Sequence, residues 1–230
     1  MKAVGVIGGM GPAATWDFCA KVLRATPAGR DQDHIRLLVD CHPGVPDRNA
    51  ALAGAGPSPG PVLAEMARGL ERSGAEAIVI ACNTAHAWAD DIRAAVAVPL
   101  IDMPAETAGE LARRWPAVRR AGLLAVDGCL AAGLYQRALA AVGVEAVPLA
   151  PPEQARFMAL VYRIKAGDTG AAARTEMRAL AETLDTDAIL SACTEVPLVL
   201  APADLPRPLL DSTDVLVART VAIARTTPAP

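Results

Sequence analysis

The segments AIVIACNT (Ala77–Thr84) and AILSACTE (Ala188–Glu195) share one design: an aliphatic run, then a cysteine, then small residues with hydroxyl, amide or carboxyl groups. Outward from them the match continues. VGVIGG (Val4–Gly9) answers AGLLAV (Ala121–Val126), and VPLID (Val98–Asp102) answers RPLLD (Arg207–Asp211). The paired segments keep their order and lie about 110 residues apart throughout, which marks an internal repeat rather than chance aliphatic runs. Short β-branched or aliphatic runs alternate with longer Ala-rich amphipathic stretches, the pattern of strands and helices around a parallel sheet. Strands are predicted at Val4–Ile7, Ile35–Asp40, Ala77–Ala81, Pro99–Ile101, Gly122–Val126, Glu145–Pro148, Ala188–Ser191 and Pro208–Leu210. Helices are predicted at Pro12–Ala25, Pro61–Ser73, Thr84–Val96, Ala105–Trp115, Cys129–Ala141, Pro152–Lys165, Gly170–Leu184 and Asp214–Ala224.

Strands this continuously apolar belong in a sheet covered by helices on both faces. The expected fold is α/β, with two pseudo-symmetric lobes, each a mostly parallel sheet flanked by helices, and the active site in the cleft between them. Ligands of open α/β sheets bind beyond the carboxyl ends of the strands, so the strand ends carry the candidate residues. Residues 1–103 plus 209–230 are assigned to an N-terminal lobe and 104–208 to a C-terminal lobe. GAGPSPGP (Gly54–Pro61) reads as a loop and a candidate lid, the Pro-rich Leu200–Pro208 as a connection, and Thr226–Pro230 as a frayed tail.

The 230 residues are 53% hydrophobic and 20% charged, with a formal net charge of −3 and only 3% aromatic residues. Such a chain can bury a core, and it lacks the basic runs of a nucleic-acid or anionic-membrane surface. Five scattered cysteines without a CxxC pair read as reduced thiols in a cytoplasmic protein. The apolar run Ala3–Trp16 is broken by glycines and Pro12, so no signal peptide is expected, and no stretch approaches the roughly 20 residues of a membrane span.

Cys82 and Cys193 each end a predicted strand, and in each case a helix is expected to begin at or soon after the next residues. A thiol at a helix N-terminus is drawn toward thiolate by the unpaired N–H groups and the dipole. The bland alternative, a buried small hydrophobe, does not explain why both repeats place a cysteine there with polar neighbours. Two thiols on opposite sides of a substrate suit inversion of a carbon centre, one removing a proton and the other delivering one. GGMGPAA (Gly8–Ala14), followed by Asp40 at the next strand end, also makes a weak dinucleotide fingerprint. His34, His42 and His86 lack zinc-site spacing, and His86 lies four residues after Cys82, within reach along a helix face.

GVIGGMGPAAT (Gly5–Thr15), PDR (Pro46–Arg48), ACNTAH (Ala81–His86), GLYQ (Gly133–Gln136), KAG (Lys165–Gly167) and ACTEVP (Ala192–Pro197) together resemble the cofactor-independent aspartate/glutamate racemase family, closest to its aspartate branch. The resemblance spans Val4 to Asp211. It implies a homodimer that moves a proton at the α-carbon of a small acidic amino acid, with neither pyridoxal phosphate nor metal as cofactor. By position, Cys82 and Cys193 correspond to the family's acid–base thiols. Asn83, Thr84 and Thr194 correspond to groups that hold the substrate carboxylate and amine, with the Met10 and Gly11 backbone nearby. Arg48 and Lys165 correspond to cations for substrate carboxylates, and Glu195, a histidine in the glutamate branch, is expected to tune Cys193. Val126 and Cys129 replace two hydroxyl residues usual near the pocket, and Ala192 replaces a usual glycine. Related members that isomerise or decarboxylate small dicarboxylic acids, and a non-catalytic acid-binding protein, are the alternative readings.

Overall fold

The computed structural model describes residues 1–226; the expectation of a frayed end falls, beyond Thr226, outside the described residues. In chain order the elements are β1 (Val4–Gly8), α1 (Pro12–Ala25), β2 (Leu37–Cys41), α2 (Arg48–Leu52), α3 (Gly60–Arg72), β3 (Ala77–Ile80), α4 (Ala89–Ala95) and α5 (Met103–Arg114). The second half continues with β4 (Arg120–Leu124), α6 (Asp127–Ala131), α7 (Leu134–Ala140), β5 (Glu145–Pro148), α8 (Pro151–Lys165), α9 (Ala171–Glu182), β6 (Ala188–Ser191), β7 (Leu209–Asp211) and α10 (Ser212–Arg225).

These elements form two parallel sheets, ordered β2-β1-β3 and β5-β4-β6-β7. The repeat read from the sequence is therefore an architectural one: β1 pairs with β3 as β4 pairs with β6. β1, β3 and β6 are buried at every position, which requires apolar side chains on both faces and accounts for the absence of period-two alternation. In the first lobe Ile7, Ile78 and Ile80 pack toward α3 through Leu63, Met66 and Leu70. On the other face Val4, Val6 and Val79 meet Phe18 and Val22 of α1 and Leu216 of α10. The second lobe has one continuous core, centred on Leu123, Leu124, Ile189 and Leu190. Among the described residues no helix is long and apolar enough to cross a membrane.

The structure departs from the expected elements in four places. The sequence Thr84–Val96 does not form one helix: a 3-10 turn over Thr84–Trp88 precedes α4. Cys129–Ala141 is split into α6 and α7 at Gly133, whose φ of +62° suits glycine. Pro99–Ile101 makes a single bridge, Ile78 to Leu100, because proline at its start cannot donate a ladder hydrogen bond. The lobe boundary expected at residue 209 divides differently, since β7 completes the second sheet whereas α10 returns to the first lobe to pack beside α1. Leu209 and Leu210 have a ladder partner only in β6, and the strand therefore stays with its neighbour in space.

The turn after β1 is the tightest backbone approach near the strand ends. Gly9 has a φ of +90°, and a Cβ there would sit 2.4 Å from the His42 backbone carbon. Gly74 has a similar φ of +95° but open space around it. Gly9→Ala is expected to cost well over the about 1 kcal/mol of a strained φ alone, and Gly74→Ala about that 1 kcal/mol. Urea unfolding midpoints of the two variants check this ordering.

Candidate active site

Both sheets direct their carboxyl ends at one narrow cavity of about 20 Å³, room for about one water. Cys82 reaches it from the first lobe, two residues beyond β3, and Cys193 from the second lobe, two residues beyond β6. Both thiols are unpaired and nearly buried, at 6% and 5% exposure. Met10, Arg48, Asn83, Thr84, Lys165, Thr194 and Glu195 line the same cavity. Gly11 joins them through its amide. The structure thus brings together every residue that the sequence singled out for the site.

Glu195 is the hub of its polar contacts. Its carboxylate is buried, and Oε1 accepts from Lys165 Nζ at 2.6 Å and from the Gly11 N–H at 3.2 Å. Oε2 accepts from the Cys193 thiol at 3.0 Å and from Thr194 Oγ1 at 3.4 Å. Lys165 also donates to the Met10 carbonyl at 3.2 Å. A buried carboxylate is tolerated when charge and hydrogen bonds surround it in this way. Burial disfavours the Lys165 ammonium, but the Glu195 carboxylate and the two nearby thiols outweigh it and raise its pKa overall.

The expected thiolate-favouring helix terminus is absent at Cys193, which is followed only by the short 3-10 turn Val196–Leu198. Burial pushes the Cys193 thiol well above its ordinary value, and the Glu195 carboxylate adds to the rise while Lys165 opposes it. A neutral thiol donating to Glu195 is the resting state consistent with that balance. Cys82 is likewise followed by a 3-10 turn, not a full helix.

His86 contacts the backbone of the cysteine turn rather than the thiol. Its Nδ1–H donates to the Cys82 carbonyl at 3.0 Å and the Asn83 carbonyl at 3.2 Å, while Nε2 accepts from the Met103 N–H at 3.3 Å. These partners fix the neutral tautomer. Burial lowers the His86 pKa against the opposing influence of Asp102 and the backbone carbonyls.

Arg48 opens α2 at the cavity wall, where its Nη1 donates to the carbonyls of Val45 at 3.1 Å and Pro46 at 2.8 Å. Asp47 caps that helix by accepting from the Ala50 N–H at 2.8 Å. The two substituted hydroxyl positions separate in space. Val126 lines the cavity, whereas Cys129 is 1% exposed within the second core. Burial pushes the Cys129 thiol up to about 12, with a smaller contribution from Cys82.

Asn49 was not singled out from the sequence. Its Oδ1 accepts from the Gly128 N–H at 2.9 Å and its Nδ2 donates to Tyr162 OH at 3.3 Å, both across the lobe boundary. Asp47 and Asn49 both line the cavity, and the only local signal for either was adjacency to Arg48.

Comparison with known proteins agrees with this architecture. Residues 7–220 match the family model described as Asp/Glu/Hydantoin racemase. The broad specificity amino-acid racemase RacX of Bacillus subtilis (strain 168) is 28% identical over 230 residues, covering 95% of this chain and 96% of that protein. The structure of Picrophilus torridus aspartate racemase superposes with a TM-score of 0.88 at 30% identity, over 97% of this chain and 94% of that one. Glutamate racemase isoform RacE1 of Bacillus anthracis shares the fold, with a TM-score of 0.68 at 18% identity, over 96% of this chain and 81% of that one. With the family model spanning both lobes and the whole cavity between them, the chain belongs to the Asp/Glu/hydantoin racemase family of isomerases.

Proposed function

We propose that the enzyme racemises aspartate, or a closely related acidic amino acid, by proton transfer between two thiols without a cofactor. The observation that carries the reading is the single cavity lined by Cys82 from one lobe and Cys193 from the other. One cysteine, as thiolate, takes the α-proton from one face of the substrate. The other, as thiol, returns a proton to the opposite face, and the two exchange roles for the other enantiomer. Arg48 and Lys165 hold the substrate carboxylates, while Asn83, Thr84 and Thr194 bind the α-carboxylate and amine beside the Met10 and Gly11 backbone. Glu195 keeps Cys193 protonated until its proton is needed, and Lys165 limits how far that preference extends.

A cavity with room for about one water does not admit an amino acid with its walls in place. Binding therefore includes separation of the walls, and the Gly54–Pro61 loop, which follows α2, is the candidate lid. The same reading makes the enzyme a cytoplasmic homodimer, in keeping with five free thiols. A wider substrate range is the second reading. Val126 presents an apolar surface where a hydroxyl would select a polar substrate, and the Bacillus subtilis relative is named for broad specificity.

Incubation with each enantiomer of aspartate and glutamate in deuterated buffer, followed by proton NMR and chiral chromatography, separates exchange from inversion. The expected result is deuterium at the α-carbon together with the opposite enantiomer of aspartate. Cys82→Ala and Cys193→Ala are each expected to abolish inversion, leaving at most exchange with one enantiomer. Full racemisation by either variant overturns the two-thiol mechanism, and turnover of neutral amino acids in preference to aspartate supports the second reading.

The Cys193 thiol supplies an independent check. Glu195→Gln removes a charge that raises its pKa, and Lys165→Met removes one that lowers it. Thiolate absorbance near 240 nm, taken as a difference from Cys193→Ala, is expected to appear at lower pH in the first variant and at higher pH in the second.

A further inference from the structure

The GLYQ stretch Gly133–Gln136 has no role in the proton transfer, yet it carries the most deeply buried phenol of the protein. Tyr135, on α7 of the second lobe, is fully buried, and its hydroxyl donates to Oδ1 of Asn83 in the first lobe. Asn83 in turn donates through Nδ2 to Ser212 Oγ at 3.2 Å, at the start of α10. The Asn83 amide is thus held at its oxygen from the second lobe and at its nitrogen from α10. The phenol keeps the proton that it donates, since burial raises its pKa well above the ordinary value.

These two bonds occupy Oδ1 and one of the two Nδ2 hydrogens of Asn83. An amide has two acceptor sites and two donors, and Asn83 also lines the cavity. One N–H is therefore left for that side. An unpinned asparagine amide turns about χ2, whereas a buried amide bonded at both its oxygen and its nitrogen holds a single arrangement. We propose that Tyr135 is a positioning residue, which clamps the Asn83 amide from the opposite lobe so that its remaining N–H faces the substrate. The proposal rests on the reading of Asn83 as a substrate-binding group. It makes the orientation of a first-lobe ligand depend on closure of the second lobe against it, because the clamp spans 52 positions of sequence and the lobe boundary.

The chain has only two asparagines, Asn49 and Asn83, so selective 15N-asparagine labelling gives two side-chain amide pairs, assigned with Asn83→Ala. In Tyr135→Phe, which keeps the ring and removes the donor, solvent exchange of the Asn83 amide is expected to accelerate at least tenfold. KM for aspartate is expected to rise at least tenfold with kcat within about threefold, and Tyr135→Phe is expected to add nothing in an Asn83→Ala background. Ser212→Ala, which releases the other edge of the amide, is expected to act in the same direction and serves where the phenylalanine variant folds poorly. Unchanged amide exchange in both variants overturns the proposal, as does an equal loss of kcat/KM from Tyr135→Phe in both backgrounds, the mark of a merely structural role. Asn83→Ala with unchanged KM overturns the substrate-binding reading and the proposal together. Asn83→Ala with raised KM beside a normal Tyr135→Phe overturns the proposal alone.

Discussion

The site depends on one constraint, that both sheets are parallel and point their carboxyl ends at the same cavity. Parallel strands return through crossover helices, so each sheet is covered on its faces and its loops collect at two opposite edges. The loops at one edge carry Met10, Arg48, Cys82, Val126 and Cys193. Their positions are set by strands that cannot slip. Each buried Val, Leu or Ile along β1, β3, β4 and β6 contributes about 1.5–3 kcal/mol by its removal from water, and a one-residue shift would misplace the whole row.

Within that frame Glu195 is the electrostatic centre. A carboxylate this buried survives because it accepts from an ammonium, a backbone amide, a thiol and a hydroxyl together. Glu195 is the buried member and Lys165 the more open one, so loss of the ammonium leaves a buried carboxylate without its charge partner. The same contacts act on chemistry. The carboxylate favours the protonated thiol at Cys193, and Lys165 favours the thiolate, so two opposite charges set the proton affinity of one sulfur. Cys82 has no such carboxylate bonded to it among the described residues, and the two thiols therefore stand in unlike surroundings despite their repeat-related positions.

Contacts across the lobe boundary complete the enclosure. Asn49 bonds Gly128 and Tyr162, Asn83 bonds Tyr135, and Lys165 bonds the Met10 carbonyl. They add polar bonds to the apolar packing by which α5 and α10 join the lobes, since Val215 of α10 belongs to the second core and Leu216 to the first.

The sequence by itself determined the α/β class, the internal repeat, the strands that build both sheets and the cysteines that end two of them, since each of these is written in local runs of apolar residues and their punctuation. It also determined which loops meet, because parallel sheets leave only one edge for their carboxyl ends. Tertiary structure alone decided the partners. Gly11 and Glu195 are 184 residues apart, and no periodicity relates them. Asn49 carried no local signal of its own, the GLYQ motif gave no partner for Tyr135, and β7 joined the second sheet because its ladder partner lay there. The sign of the Cys193 shift followed the same rule. A helix terminus is a local feature and none forms at Cys193, whereas burial and the Glu195 charge depend on how the chain closes around the sulfur.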